Sequence, residues 1–158
     1  RVRTPEEARQ LMDGMVFSPQ GSRGLGITSR AGHWGLKPTP DYVREGNEGV
    51  FRCVQLEDQS ALRQAAEILD TPGVNAAFVG PGDLALSSGK LASHPDNAVL
   101  IDGLLAAAKQ RGVPVGTAVG DAAAARQAQE RGFGFVMVSN DLSLFGKAAA
   151  DLVRGFKA

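Results

Sequence analysis

The chain is poor in the residues that commit a protein to an obvious chemistry. It holds one cysteine, two histidines, one tryptophan and one tyrosine. A single cysteine, Cys53, excludes an internal disulfide framework. It falls in a predicted strand with no histidine at a useful position. That argues against a thiol nucleophile and for a small buried hydrophobe in a reducing compartment. His33 and His94 each sit in a Gly- or Pro-containing stretch and are read as solvated or locally bonded. Neither charge sign is in excess, because Lys+Arg and Asp+Glu both number 17. The basic footprint of a nucleic-acid or anionic-membrane binder is therefore missing. No apolar run approaches the roughly 18–20 residues of a membrane span, and no signal-peptide pattern is visible. The expected location is cytoplasmic. No lysine lies in a predicted strand, which argues against a desolvated Schiff-base lysine.

What is present is an ordinary globular composition, 43% hydrophobic and 22% charged over 158 residues. That length suits one domain, 1–158, with a real core. Arg1-Val2-Arg3 runs straight into a helix signal, like the tail of a strand. The chain is accordingly expected to be the C-terminal part of a longer protein. Thr4-Pro5-Glu6-Glu7 combines a cap, a proline at the first helical position and a capping-box glutamate. This predicts a helix to about Gly14. Residues 17–39 are rich in Gly, Ser and Pro and read as one long functional loop. Trp34 and Tyr42 are expected to pack.

Strand and helix patterns then alternate. Strands are predicted at 50–57, 75–79, 113–119 and 134–139, and helices at 60–70, 97–110, 121–131 and 142–156. Leu62, Ala65, Ala66 and Leu69 give the first of these helices its apolar face. Asp121 caps one helix, and Gly112 and Gly132 stop two others. Four βα units in succession predict parallel strands with helices outside them, in an α/β fold. Polar residues end strand after strand: Glu57, Asp83, Thr117 and Ser139-Asn140-Asp141. A (β/α)8 barrel collects site residues from several strand ends in that way, whereas an open sheet concentrates them at one switch point.

Gln55 and Glu57 are two apart and face the same way along a strand. Asp83 follows the next strand, about 4.8 Å away laterally. The two carboxylates can share a hard cation such as Mg²⁺ or Mn²⁺, with Co²⁺ a further option. The competing reading is that Glu57 pairs with an arginine and Asp83 merely caps a helix. The turn Gly80-Pro81-Gly82-Asp83 has little side-chain bulk, so its N–H groups can hold a carboxylate; it also reads as an ordinary tight turn. Gly21-Ser22-Arg23-Gly24-Leu25-Gly26 lacks the strand before it and the Lys-Ser/Thr after it that a phosphate loop requires.

Three ordered motifs resemble one family. Pro19-Gln20-Gly21-Ser22-Arg23-Gly24, Val54-Gln55-Leu56-Glu57 and Val79-Gly80-Pro81-Gly82-Asp83-Leu84 are similar to the "PPQGxRG", "VQxE" and "GPxDL" stretches of the HpcH/HpaI aldolases. These are metal-dependent class II pyruvate aldolases, 4-hydroxy-2-oxoheptanedioate aldolase among them. Residues 134–141 resemble the family's last strand. The resemblance implies the C-terminal part of a TIM barrel, about four βα units and a preceding helix. It also implies a hexamer with exchanged C-terminal helices. By resemblance, Glu57 and Asp83 are metal ligands, Gln55 contacts the pyruvyl group, and the Gly82 and Asp83 N–H groups meet its carboxylate. Position 82 is more often Ala or Ser in such proteins. The proton-transferring His and the Arg of the family have no counterpart here, and His33 and Arg23 do not replace them. The chain alone is therefore expected to be a weak catalyst and a poor folder. The implied reaction is retro-aldol cleavage of a 4-hydroxy-2-oxo acid to pyruvate and an aldehyde. Two alternatives stand beside it: a citrate-lyase-like acyl-CoA lyase, and a half-barrel that only binds or assembles.

Overall fold

Helix α1 (Pro5–Met15) begins where the sequence places it, in a computed structural model that describes residues 1–157. The Thr4 side chain accepts from Glu7 N–H at 3.1 Å. The Glu7 carboxylate reaches back to Arg3 N–H at 2.7 Å, one residue earlier than in a standard capping box. Ala8 and Met12 bury one face of the helix.

The next elements are a 3₁₀ turn (Arg30–Gly35), α2 (Thr39–Glu48), β1 (Cys53–Leu56), α3 (Gln59–Arg63) and α4 (Ala65–Leu69). After these come β2 (Ala76–Val79), α5 (Pro81–Ser88), α6 (Pro95–Arg111), β3 (Val115–Val119), α7 (Ala122–Arg131), β4 (Phe135–Val138) and α8 (Asp141–Lys157). All strand pairs are parallel, and their order is β1-β2-β3-β4. Each strand is thus laid beside the one before it, with no reversal of order. That is the succession of a barrel wall, not of a doubly wound sheet.

The N-terminal residues extend this wall. Arg52 C=O accepts from Ala76 N–H, so even-numbered positions of β1 face β2. Gln55 C=O points the other way and accepts from Val2 N–H at 2.9 Å. Arg1-Val2-Arg3 therefore flanks the free edge of β1, as the tail of another strand would.

Alternation divides the sheet into two faces. Val54, Leu56, Ala77, Val79 and Val115 point to the helices and join Leu62, Ile68, Leu84, Ile101 and Leu104 in the main core. Each large aliphatic side chain there contributes about 1.5–3 kcal/mol by leaving water. On the other face, Gln55, Phe78, Gly116 and Phe135 lie in register. Phe135 leans over Gly116, where a Cβ would collide with its ring, and stacks near Phe78 and Phe51.

Several expectations need correction. The predicted helix over 60–70 is two helices, because Gln64 leaves helical geometry (φ −101°, ψ 14°). The loop predicted over 17–39 contains the 3₁₀ turn, and α2 follows at once. Strand β1 is shorter than 50–57, so Glu57 stands just past its end. Trp34 does not pack: it is 72% exposed, whereas Tyr42 is buried and donates to Gly26 C=O at 3.2 Å. Cys53 is only partly buried, and that burial pushes its thiol above the ordinary value. No helix among the described residues is long and apolar enough to cross a membrane.

Candidate active site

The carboxyl ends of β1 and β2 place Glu57 and Asp83 side by side. Their register pairs Leu56 with Val79. One step further along, Glu57 comes level with Gly80. A Cβ on Gly80 would lie 2.5 Å from Glu57 Oε1 and 2.9 Å from its Cγ. Glu57 therefore folds over a glycine because any larger residue would push it away. It is 8% exposed, and its backbone carbonyl accepts from Ser87 Oγ at 3.1 Å.

The turn after β2 is not a plain loop. Gly80 is the N-cap of α5, Pro81 takes the first helical position, and Asp83 lies in the first turn. Leu84 N–H already bonds Gly80 C=O at 3.0 Å. The N–H groups of Gly82 and Asp83 precede it, in the part of a helix that has no internal acceptors. Gly82 and Asp83 are both exposed.

The two carboxylates converge. Arg1 Nε is 3.2 Å from Glu57 Oε2, and Arg1 Nη2 is 2.9 Å from Asp83 Oδ1. One planar cation bridges acids from two strands. These contacts, the Glu57 hydrogen bond foremost, hold the Arg1 guanidinium more firmly protonated than usual. This is the arginine pairing of the competing reading for Glu57, with Asp83 joined to it, and the two carboxylates do meet at one point. Asp58, next in sequence, has another task. It accepts from Ala61 N–H at 2.8 Å as the cap of α3, with Arg3 Nε 3.4 Å away.

Among the described residues no cluster of three or more His, Cys, Asp or Glu could hold a metal. A cation at Glu57 and Asp83 would therefore have two protein carboxylates and several open positions. That donor set fits Mg²⁺ or Mn²⁺, which keep water and bind through one or two carboxylates plus substrate oxygens. Gln55 lies on the same strand face as Glu57, with its side chain exposed.

The other polar strand ends are not part of this cluster. Thr117 lies inside β3, buried, and donates to Val79 C=O at 3.2 Å. Asn140 Oδ1 accepts from Ser143 N–H at 2.8 Å, at the start of α8. His94 Nδ1 accepts from Asp96 N–H at 3.3 Å and caps α6, and His33 belongs to the 3₁₀ turn. The glycine-rich motif is a structural staple at the opposite end of the strands. Arg23 stacks on Phe17 at 4.4 Å, Phe17 N–H donates to Asn47 Oδ1, and Asn47 C=O meets Arg52 just before β1. Sequence reasoning missed Arg1. Its signal was available in Arg1-Val2-Arg3 as a strand tail, whose end must lie level with the other strand ends.

The family model for HpcH/HpaI aldolase/citrate lyase matches residues 1–148. The chain belongs to this family. It is 37% identical over 158 residues to a 5-keto-4-deoxy-D-glucarate aldolase of Klebsiella pneumoniae, covering 99% of this chain and 61% of that protein. An HpcH/HpaI aldolase/citrate lyase family protein from Burkholderia cenocepacia superposes with TM-score 0.88 at 36% identity, covering 100% of this chain and 63% of the other. An HpcH/HpaI aldolase from Desulfitobacterium hafniense gives TM-score 0.87 at 28% identity, covering 99% and 61%. The chain thus spans about 61% of the length of the curated relatives it matches. The sheet order and these relatives identify the fold as consecutive βα units of a TIM barrel in the HpcH/HpaI family.

Proposed function

We propose that this chain carries the metal and pyruvate half of a divalent-metal-dependent aldolase that cleaves a 4-hydroxy-2-oxo acid to pyruvate and an aldehyde. The observation that carries the proposal is the convergence of Glu57 and Asp83, from two neighbouring strand ends, on a single cationic point. Family membership supports it, and the relative of 37% identity favours a deoxy-keto sugar acid as substrate.

In this reading Glu57 and Asp83 would hold the metal, which would act as a Lewis acid toward the oxygens of the pyruvyl group. The Gly82 and Asp83 N–H groups at the start of α5 receive the pyruvyl carboxylate, favoured by the positive end of the helix. Gln55 contacts the pyruvyl group from β1. Gly80 lets Glu57 lie flat beside the turn, so both acids aim at one point. Proton transfer at the 4-hydroxyl falls to a group outside these residues. Helix α8 supports assembly with further copies of the chain. Leu142, Phe145, Leu152 and Phe156 lie along it at helical spacing, all strongly exposed. We infer that this stripe is covered by another subunit.

The test is pyruvate release from 5-keto-4-deoxy-D-glucarate and from simpler 4-hydroxy-2-oxo acids, using the full-length protein. Activity should vanish with a chelator and return with Mg²⁺ or Mn²⁺. Chelator-resistant turnover would reject the assignment.

A further inference from the structure

We propose that Arg1 is an internal countercation, which holds Glu57 and Asp83 together while no metal is bound and is displaced when a divalent cation enters. The inference rests on the metal reading above and adds to it a competitor built into the chain.

Two carboxylates brought to adjacent strand ends repel each other unless a cation lies between them. The guanidinium meets that need with two of its nitrogens, one on each acid, at 3.2 and 2.9 Å. Its backbone is anchored, since Val2 N–H is bonded to Gln55 C=O. Its side chain is about one-third exposed, 35%, so it can swing toward solvent without unpacking the core. Glu57 lacks that freedom, because Gly80 lies against its carboxylate and Ser87 holds its carbonyl. A metal therefore cannot draw Glu57 away to a separate site. Glu57 Oε1 lies against Gly80, so the oxygen that faces Asp83 is Oε2, the one Arg1 holds, and a metal bridging the two acids there would displace the guanidinium. The arginine keeps the empty site in its binding geometry and lowers metal affinity in exchange.

The neighbouring Arg3 supplies a control. It pairs with Asp58, the α3 cap, and not with Glu57 or Asp83. The experiment is titration of the full-length, metal-stripped protein with Mn²⁺, with free ion read by electron paramagnetic resonance. Arg1→Met should bind Mn²⁺ at least roughly tenfold more tightly than wild type. Arg1→Lys, which keeps the charge but cannot fork across both acids, should fall between them. Arg3→Met should stay within about threefold of wild type, less than 1 kcal/mol. Metal-free Arg1→Met should also unfold at a lower temperature than wild type, and saturating Mn²⁺ should close that gap. Equal or weaker binding by Arg1→Met, with wild type binding normally, overturns the proposal and leaves the metal reading standing. If Arg1→Met does not fold, Arg1→Lys decides: binding no tighter than wild type overturns it. No Mn²⁺ binding by any form overturns both.

Discussion

Gly80→Ala isolates the geometry of Glu57 from everything else in the molecule. Gly80 has φ −86° and ψ 98°, a conformation any residue adopts, so alanine brings no backbone strain. Its only effect is the new methyl, which would stand 2.5 Å from Glu57 Oε1, 2.9 Å from Cγ and 3.0 Å from Cδ. Ordinary contact between such atoms is about 3.5 Å, so the carboxylate must retreat by about 1 Å. It cannot do so and still meet Asp83 at the shared point. A 1 Å misplacement of a positioning group is worth about 10²-fold in rate. We expect kcat/KM for pyruvate release to fall about 100-fold and the Mn²⁺ dissociation constant to rise. Stability should fall by about 1–3 kcal/mol, the usual cost of inserting a methyl into a packed site. The assay is steady-state pyruvate release at saturating Mg²⁺, with an unfolding curve to show that the protein is intact. Near-wild-type activity in Gly80→Ala would show that Glu57 does not need the position the structure gives it.

Gly82→Ala is the counterpart: nothing lies within 4 Å of the added Cβ, and the N–H is kept. It should leave activity near wild type and stabilise by about 0.4–1 kcal/mol, read as a shift in the denaturation midpoint. Asn97→Ala removes a fully buried amide. Its Nδ2 donates to Ser88 Oγ, Lys90 C=O and Leu91 C=O, and its Oδ1 accepts from Gln59. Leaving such partners unpaired should cost about 3 kcal/mol in urea unfolding, and a loss under 1 kcal/mol would contradict the network. Burial pushes the Asp58 carboxyl up, but hydrogen bonds from Ser60 and Ala61 N–H and the charges of Arg3 and Arg1 hold it below the ordinary range. A depressed folded value means its stabilisation is intact above about pH 4 and is lost as pH falls through that lower value. Asp58→Asn should therefore flatten the acid limb of the stability profile, measured by denaturation from pH 6 down to 3.

The parts that the sequence disclosed are those set by local rules. The four strands are short apolar runs, and Asp121, Gly112 and Gly132 mark helix ends through their own backbones: Asp121 accepts from Ala124 N–H at 2.8 Å, and both glycines take the left-handed conformation. Helices α2 and α5 were hidden because each has a proline in its first turn and carries a glycine, so both read as loops; α5 buries only Leu84. The break at Gln64 was hidden because the apolar face of Ala61, Leu62, Ala65 and Leu69 continues across it. At the site, Glu57 and Asp83 were legible from their place after consecutive strands. Arg1 was not, because its partners lie 56 and 82 residues away and no periodicity encodes such a meeting. Thr117 misled for the opposite reason: a polar residue near a strand end looks functional until its hydroxyl is seen bonded to the neighbouring strand.

If Glu57 and Asp83 hold one divalent cation between them, the ion should be visible at that point. Diffraction from crystals of the full-length protein soaked in Mn²⁺, recorded near the manganese absorption edge, tests it directly. A single strong anomalous peak should appear within about 2.0–2.6 Å of both carboxylates, with the Arg1 guanidinium withdrawn from them. A peak at other residues, or Arg1 still bridging Glu57 and Asp83 in crystals of enzyme whose turnover requires metal, would contradict it.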